Sequence, residues 1–163
     1  MPRVWLSIGS NIDREKHIRG ALRALRDTFG ELVISRVYES EAVGFQGAPF
    51  YNLVVGLDTD WPPAALNRHL HDIERANGRR RDGGKFASRT LDIDLLTYGN
   101  EVIGDGLIDV PRKEITEYAF VLLPLSEVAG AQRHPVDGRT YRELWEAFPR
   151  NSQPVWPIRF DPA

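Results

Sequence analysis

The sequence contains no cysteine, no long apolar run and no strong net charge. Without cysteine the chain forms no disulfide and no thiolate metal site, which fits a reducing cytoplasm. No apolar stretch reaches the roughly 18 residues of a membrane span, and no basic start precedes a short apolar run, so we expect neither a signal peptide nor a membrane segment. A formal net charge of −2 provides no overall field that attracts nucleic acid. We therefore expect a cytoplasmic protein that binds neither nucleic acid nor membrane.

What is present is the composition of an ordinary globular protein. A chain of 163 residues, 42% of them hydrophobic, is long enough to bury roughly 70% of its unfolded surface. We predict one domain over residues 1–150, and we expect it to be a monomer. Residues 151–163 show no hydrophobic period, and we predict that they form a C-terminal tail on the surface.

The most informative stretch is R-T-L-D-I-D-L-L at residues 89–96, where apolar residues alternate with Asp92 and Asp94. This alternation predicts a strand with both carboxylates on one face, roughly 6.6 Å apart along the chain. Carboxylates that close repel each other unless a cation lies between them. Mg²⁺ is the natural candidate, because it binds carboxylate and phosphate oxygens. The same pattern is also that of an exposed strand with two solvated acids.

An arginine- and glycine-rich segment leads into this strand. It contains Gly78, Gly83 and Gly84, with one acid, Asp82, against six cations: Arg75, Arg79, Arg80, Arg81, Lys85 and Arg89. Arginine side chains match phosphate oxygens with two parallel hydrogen bonds. Carboxylates for Mg²⁺ beside a cationic segment predict a site for a nucleoside triphosphate.

The hydrophobic pattern predicts the order strand, helix, strand, strand, helix, strand, then a helical appendix. The four strands are predicted around residues 4–8, 32–38, 50–57 and 89–96, and the two helices end near Gly30 and Gly78. This order is typical of the ferredoxin-like α+β fold, written βαββαβ, with two helices on one face of one sheet.

Local signals add detail to this order. Gly9-Ser10-Asn11 is predicted as a turn, Gly99-Asn100 as a hairpin turn with residues 102–103 returning, and Pro124 as a break in the apolar helix that follows Ile115. Thr140 with Glu143 predicts a capping box at the start of a short helix.

Two further features indicate ligand binding. Asn52 is a polar amide inside an apolar strand, and such a group needs hydrogen-bonding partners that a ligand edge can provide. The loop at residues 39–49 is long for a connection without an element of its own, which is frequent in functional loops. Its apolar residues either line a pocket for a flat ligand or cover the core.

Several motifs together resemble the 6-hydroxymethyl-7,8-dihydropterin pyrophosphokinase family of folate synthesis. They are Ile8-Gly9-Ser10-Asn11, the R-T-L-D-I-D run at 89–94, Tyr98-Gly99-Asn100 and Val110-Pro111. The resemblance extends from Ile8 through the helix after Phe120. Members of the family transfer pyrophosphate from ATP to the hydroxymethyl oxygen of the pterin and release AMP.

The resemblance implies a role for each of a set of residues. Asp92 and Asp94 are expected to hold two Mg²⁺ ions that bridge the ATP phosphates, and Arg79 and Arg89 to stabilise charge on the transferred group. The residues expected around ATP are Glu74, Arg81, Arg112 and Lys113. Those expected around the pterin are Ser40, Val43, Asn52, Phe86 and Phe120, with the two phenylalanines on either side of its ring.

The chain also departs from the family pattern. Residues 86–88 read Phe-Ala-Ser where Trp-Gly-Pro is usual, and Arg112-Lys113 follows Val-Pro where a histidine is usual. Phe50 replaces a frequent tyrosine, and Leu107 and Tyr118 lie where some members have phosphate-binding arginines. Two alternative functions therefore accompany the kinase hypothesis: a weakly active or non-catalytic relative that binds pterin and ATP, and a two-metal nucleotidyl-transfer domain.

Overall fold

Alternating apolar residues in the first strand build the centre of an antiparallel sheet. The computed structural model describes residues 1–42, 47–78 and 90–162. The strands of this part of the chain are β1 (Arg3–Ser10), β2 (Val33–Ile34), β3 (Tyr38–Ser40), β4 (Phe50–Asp58), β5 (Asp92–Tyr98), β6 (Ile103–Gly104), β7 (Asp109–Val110) and β8 (Val155–Pro157). The helices are α1 (Arg14–Phe29), α2 (Pro63–Ala76), α3 (Glu114–Glu117), α4 (Ala119–Ala129) and α5 (Tyr141–Ala147), with a 3-10 turn at Arg150–Ser152.

The main sheet has the strand order β5-β1-β4-β3-β8, and β2 also pairs with β4. Every pairing in it is antiparallel. The predicted mixture of helices and β-sheet is confirmed. The predicted strand at 32–38 is instead two short strands, β2 and β3, which pair with different parts of β4.

Helices cover both faces of this sheet. One face joins the even-numbered apolar residues of β1 to the buried stripes of α1 and α2 in a core that includes Val4, Leu6, Ile8, Ile18, Leu22, Leu66 and Leu70. The opposite face joins Trp5 of β1 to residues of β4, β5, α4 and α5, including Val54, Leu96, Leu122, Leu125 and Leu144. The predicted appendix is therefore a second helical layer, because α4 carries apolar residues that need burial against a sheet.

The predicted turn at Gly9-Ser10-Asn11 is wrong. Strand β1 continues through Ser10, and Gly9 pairs with Asn52 on one side and with Asp92 on the other. A glycine within a strand frequently marks a close approach by another group, and here that group is the Asn52 side chain.

The predicted hairpin at Gly99-Asn100 is only half correct. The chain does turn at Gly99, where φ is 54°, but the returning strand β6 pairs with β7 rather than with β5. Strands β6 and β7 form a small separate ladder.

Pro124 does not break the helix that contains it. Helix α4 continues through Pro124, and the break falls earlier at Tyr118, whose backbone is extended. A proline inside a helix removes one hydrogen bond and crowds the preceding turn. The flanking residues Leu122 and Leu125 are fully buried, and this packing favours the continuous helix.

The final segment is an ordered part of the sheet. Strand β8 extends its edge by pairing with β3, and the Ile158 amide donates to the Val37 carbonyl (3.0 Å). The Phe160 ring meets the Tyr51 ring edge-on, with 6.4 Å between the ring centres. Alternation over three residues is too short a signal to have predicted this strand from sequence.

Candidate active site

Two carboxylates lie side by side on one face of β5. Asp92 and Asp94 are both half-exposed, and the intervening Ile93 is buried in the core on the other face. The neighbouring strand β1 sets Gly9 opposite Asp92 and Ser7 opposite Asp94. The alternation predicted from the sequence is therefore present.

The Asp94 carboxylate lies in an electrostatically unfavourable position. Burial, and then the neighbouring Asp92 carboxylate, raise the pKa of Asp94 to about 7, and the nearby Arg112 guanidinium offsets only part of this. Its side chain is nevertheless 35% exposed, so the carboxylate remains accessible from one side. Crowded acids with an open side are what a divalent cation would relieve.

The two carboxylates fit a Mg²⁺ site completed by substrate better than a metal site in which every ligand comes from the protein. Within residues 1–42, 47–78 and 90–162, no cluster of three or more histidine, aspartate or glutamate side chains is arranged to hold an ion. The pair therefore offers two carboxylates. Mg²⁺ is commonly bound in this way, through one or two carboxylates, with substrate phosphates and water completing its coordination.

A fixed amide lies across the sheet from the carboxylates. Asp92, Gly9 and Asn52 occupy one row over three adjacent strands. Two strand spacings separate Asp92 from Asn52, a distance of roughly 10 Å. A Cβ atom on Gly9 would lie 2.8 Å from Asn52 Nδ2, so the missing side chain leaves room for this amide.

The Asn52 side chain is held in one orientation by Ser40. Ser40 Oγ donates to Asn52 Oδ1 at 3.0 Å, and both residues are 5% exposed. With Oδ1 engaged, the amide nitrogen lies over Gly9 on the face that also carries Asp92. The two residues expected around the pterin on β3 and β4 are thus in direct contact with each other.

An aromatic pair begins the helix that covers this face. Phe120, at the second position of α4, stacks on Tyr118 with ring centres 5.1 Å apart and planes 19° apart. Phe120 is half-buried against the second core. The resemblance predicted a ring sandwich with Phe86, which lies outside the described residues.

Glu74 lies behind the carboxylate strand instead of lining its open face. It is 1% exposed, and its Oε2 accepts a hydrogen bond from the Ile93 amide at 2.8 Å. Ile93 is the residue between the two aspartates. The contact expected between Glu74 and ATP stays a prediction, and the bond from the Ile93 amide shows that Glu74 also helps to hold β5.

Arg112 lies beside the carboxylates. Its Nη1 is 4.0 Å from Asp94 Oδ1, and its Nε donates to Glu114 Oε2 at 3.2 Å. Lys113 is exposed just before α3, and the ATP contact expected for it stays a prediction. Leu107, at a position where some family members have an arginine, is 84% exposed.

Five of the expected site residues lie outside the described residues. They are Val43, Arg79, Arg81, Phe86 and Arg89. The roles expected for them remain predictions.

Sequence reasoning missed Gly9 and Glu114. A glycine that ends an apolar alternation was a signal for Gly9, because strand glycines frequently mark a close approach. Glu114 had no comparable signal, since an acid near a helix start is ordinary capping chemistry.

No helix in the described part of the chain is both long and apolar enough to cross a membrane.

The family model and the curated relatives identify the same family. The family model for 7,8-dihydro-6-hydroxymethylpterin-pyrophosphokinase (HPPK) matches residues 5–130. Two curated relatives are named 2-amino-4-hydroxy-6-hydroxymethyldihydropteridine pyrophosphokinase. The Aquifex aeolicus protein is 34% identical over 146 residues, covering 88% of this chain and 91% of the relative. The Pseudomonas aeruginosa protein is 36% identical over 159 residues, covering 90% and 92%.

Solved structures share the fold at low identity. A crystal structure of HPPK-DHPS in complex with substrates superposes with a TM-score of 0.69 and 13% identity over 90% of this chain. Wild-type Plasmodium falciparum HPPK-DHPS gives a TM-score of 0.67 and 14% identity over 89% of this chain. The chain spans less than half of these two structures, 43% and 44% of their lengths. From the family match and the curated relatives, this chain belongs to the 7,8-dihydro-6-hydroxymethylpterin-pyrophosphokinase family.

Proposed function

We propose that this protein transfers pyrophosphate from ATP to the hydroxymethyl group of 6-hydroxymethyl-7,8-dihydropterin, with release of AMP, in folate synthesis. The observation that carries the proposal is the row of Asp92, Gly9 and Asn52 across three strands. It sets a pair of carboxylates at one end and a fixed amide at the other, roughly 10 Å apart. A polyphosphate and a flat heterocycle with a short hydroxymethyl arm match these two ends.

At the carboxylate end, Asp92 and Asp94 would hold two Mg²⁺ ions. When bound, these ions supply charge neutralisation to the polyphosphate oxygens. The carboxylates supply the oxygen ligands, and the raised pKa of Asp94 supports a site made for a cation. Glu74 holds the strand that carries both acids through its bond to the Ile93 amide.

The pyrophosphoryl transfer itself requires alignment more than a nucleophilic side chain. The hydroxymethyl oxygen forms a bond to the β-phosphorus and loses its proton, while the bond from that phosphorus to the bridging oxygen of AMP breaks. Catalysis of such a step rests on positioning and on stabilising charge at the phosphoryl oxygens. We assign the charge at the transferred group to Arg79 and Arg89. Contacts to the rest of ATP are assigned to Arg81, Arg112 and Lys113.

At the amide end, Asn52 would bind the polar edge of the pterin. Ser40 fixes the amide orientation, so its hydrogen-bonding pattern selects for a ligand with complementary donors and acceptors. Phe120 with Phe86 would hold the faces of the ring, and the backbone near Val43 would complete the subsite.

We further propose a ferredoxin-like description of the fold. Strands β1, β3, β4 and β5 with helices α1 and α2 correspond to βαββαβ, and α3, α4, α5 and β8 are additions. The protein is proposed to work as a cytoplasmic monomer.

Product analysis tests the function directly. Purified protein is incubated with Mg²⁺, ATP and 6-hydroxymethyl-7,8-dihydropterin, and AMP is resolved from ADP. We expect AMP to form in amounts equal to the pterin diphosphate, and only when the pterin is present. Formation of ADP would instead indicate single-phosphate transfer and contradict the proposal.

Product analysis together with binding measurements separates the alternative functions. A protein that binds pterin and ATP without forming product would be the non-catalytic relative. A nucleotidyl-transfer domain would instead bind DNA or RNA with an affinity that falls steeply as salt rises.

A further inference from the structure

The Arg112 guanidinium is held between two acids at the edge of the carboxylate site. Its backbone amide donates to the Leu96 carbonyl at 2.9 Å, which anchors the residue against β5. Its Nε and Nη2 both donate to a single oxygen, Oε2 of Glu114. Its Nη1 stops 4.0 Å from Asp94 Oδ1, which is beyond hydrogen-bonding distance.

Arg112 therefore forms hydrogen bonds with Glu114 but only a longer ion-pair contact with Asp94. Glu114 is the more buried of the two, with 16% of its side chain exposed against 35% for Asp94. An ion pair in a less solvated position is less screened and holds its geometry better. The guanidinium thus makes its direct hydrogen bonds to Glu114 and only a longer-range contact to Asp94.

This separation has a chemical consequence for Asp94. A guanidinium bonded directly to the Asp94 oxygens would occupy the lone pairs that a divalent cation requires. Held at 4.0 Å, the guanidinium still offsets part of the negative charge of the Asp94 carboxylate through its field. The carboxylate oxygens remain open to the metal.

We propose that Glu114 is a positioning residue that keeps Arg112 from pairing directly with Asp94, so that Asp94 stays available to the divalent cation and Arg112 stays available to the polyphosphate. This inference rests on the proposed function, since it assumes that Mg²⁺ and a nucleoside triphosphate bind at this site. It assigns a role to a residue that contacts neither of them.

Four variants of the full chain test the role. Glu114→Gln removes the competing charge with little change in shape, Arg112→Gln removes the cation, and the double variant removes both. Glu117→Gln is the matched control, because it removes the same charge from the exposed end of the same short helix. Binding of α,β-methylene-ATP, which blocks cleavage at the reacting position, is followed by calorimetry over a series of Mg²⁺ concentrations.

We expect Glu114→Gln to raise the Mg²⁺ concentration for half-maximal nucleotide binding by roughly three- to tenfold, and saturating Mg²⁺ to restore affinity. In the Arg112→Gln background, adding Glu114→Gln should shift this Mg²⁺ concentration by less than about twofold, because Glu114 acts through the Arg112 guanidinium. Glu117→Gln should match the wild type. Thermal unfolding of the ligand-free variants separates a folding defect from a change in Mg²⁺ dependence, because bound ligand would mask the defect.

Three outcomes would overturn the inference. Wild-type Mg²⁺ dependence in Glu114→Gln would mean that Glu114 has no such role. An equal shift in the Glu117→Gln control would mean that any nearby negative charge has the same effect. A shift that persists undiminished in the Arg112→Gln background would mean that Glu114 acts on the metal without Arg112.

Failure of the proposed function is distinguishable from failure of this inference. If the wild-type protein does not bind the analogue at any Mg²⁺ concentration, the proposed function fails. If the wild type binds it and only the Glu114 variant behaves unexpectedly, the proposed function stands and the positioning role is removed.

Discussion

At the scale of single residues, Gly9 shows how a missing side chain shapes the site. It lies in the row between Asp92 and Asn52, and the Asn52 amide occupies the space that a Cβ would need. The neighbouring atom is the end of a side chain, so the amide, and not the backbone, would give way. The position therefore bears on ligand binding more than on folding.

We predict that Gly9→Ala weakens pterin binding and leaves nucleotide binding intact. Displacing the Asn52 amide removes its hydrogen bonds to the ligand, which corresponds to a loss of roughly 1–3 kcal/mol. Fluorescence titration measures the affinity of the variant for the pterin, and calorimetry measures its affinity for the ATP analogue.

Gly104→Ala is the control for this prediction, because a Cβ there would lie 3.9 Å from its nearest neighbour, Asp109 Oδ1. Equal loss of pterin and nucleotide binding in Gly9→Ala would contradict the local effect.

Asp94 is one of the two carboxylates that the proposed function assigns to the metal. We predict that Asp94→Asn lowers turnover by roughly a hundred- to a thousandfold, since the metal loses a charged ligand worth several kcal/mol. The metal-free variant should unfold at the same temperature or higher, because the repulsion that raises the pKa of Asp94 is gone.

The measurements are steady-state AMP formation and calorimetric melting without metal. Asp27→Asn, on the exposed side of α1, is the matched charge control. Full activity of Asp94→Asn in excess Mg²⁺ would remove the metal role.

At the scale of elements, the C-terminal segment is part of the packing. Phe160 contacts the Tyr51 ring, and the Arg19 guanidinium lies 4.9 Å from the centre of the Phe160 ring. Arg19 Nε also donates to the Asp161 carbonyl, which ties the segment to α1.

We predict that Phe160→Ala lowers the free energy of unfolding by about 1–2 kcal/mol, because a partly buried ring loses its contacts. For a protein of this size the melting temperature should fall by roughly 3–6 °C. Thermal denaturation measures this, with the adjacent exposed Arg159→Ala as control. Identical melting of the two variants would show that the segment adds no stability.

Helix α4 is joined to β3 and to the residue before Val37 by a partly exposed hydrogen-bond cluster. Glu127 Oε1 accepts from Tyr38 Oη at 2.6 Å, and Oε2 accepts from the Arg36 amide at 2.8 Å. Burial acts to raise the pKa of Glu127, but the bonds from Tyr38 and Arg36 outweigh it, so the net pKa is lowered. The ionised form is therefore the one that stabilises the fold.

This shift predicts the acid side of the stability profile. A glutamate with a lowered folded pKa stabilises the protein above its unfolded pKa of roughly 4.3, and that stability is lost as the pH falls through the lower folded value. We predict that Glu127→Gln has a lower free energy of unfolding than the wild type at neutral pH. Below pH 4.3 its free energy of unfolding should fall less steeply than that of the wild type. Urea unfolding at several pH values tests this, with Glu146→Gln at an exposed position as the control. If the free energy of unfolding of Glu127→Gln falls with acid as steeply as that of the wild type, the prediction is contradicted.

At the scale of the whole molecule, the edges of the sheet explain why a monomer is expected. The outward Ile93 amide on β5 is taken by Glu74, and the Leu96 carbonyl accepts from the Arg112 amide. At the opposite edge, β8 has only three residues and ends in Pro157. Edge strands that are short, proline-containing or already bonded resist pairing with another copy.

We predict a single species near 18.5 kDa by light scattering after size-exclusion chromatography. The mass should be independent of concentration over the micromolar range. A mass near twice this value would show that another surface mediates dimerisation, and would contradict the expectation.

Sequence reasoning reached those parts of the site that depend on neighbours along the chain. The two-residue period of a strand placed Asp92 and Asp94 on one face, and the structure agrees. The capping box of Thr140 and Glu143 is likewise present at the start of α5. Both patterns act within four positions, where backbone geometry alone decides which side chains meet.

Sequence reasoning failed where local propensity opposed tertiary packing. Pro124 favours a break, yet burial of its neighbours keeps α4 continuous. Gly9 favours a turn, yet pairing on both sides keeps it in β1. In each case the contacts that decided the outcome come from distant segments.

The amino-acid sequence by itself therefore determined the carboxylate strand, the mixture of helices and sheet, and the family. Only the tertiary structure decided that Asn52 lies over Gly9, that Glu114 shares Arg112 with Asp94, and that β8 completes the sheet edge. These contacts join residues far apart along the chain or depend on side-chain burial. Strand register and burial are set by the packing of the whole sheet, and no local pattern specifies them.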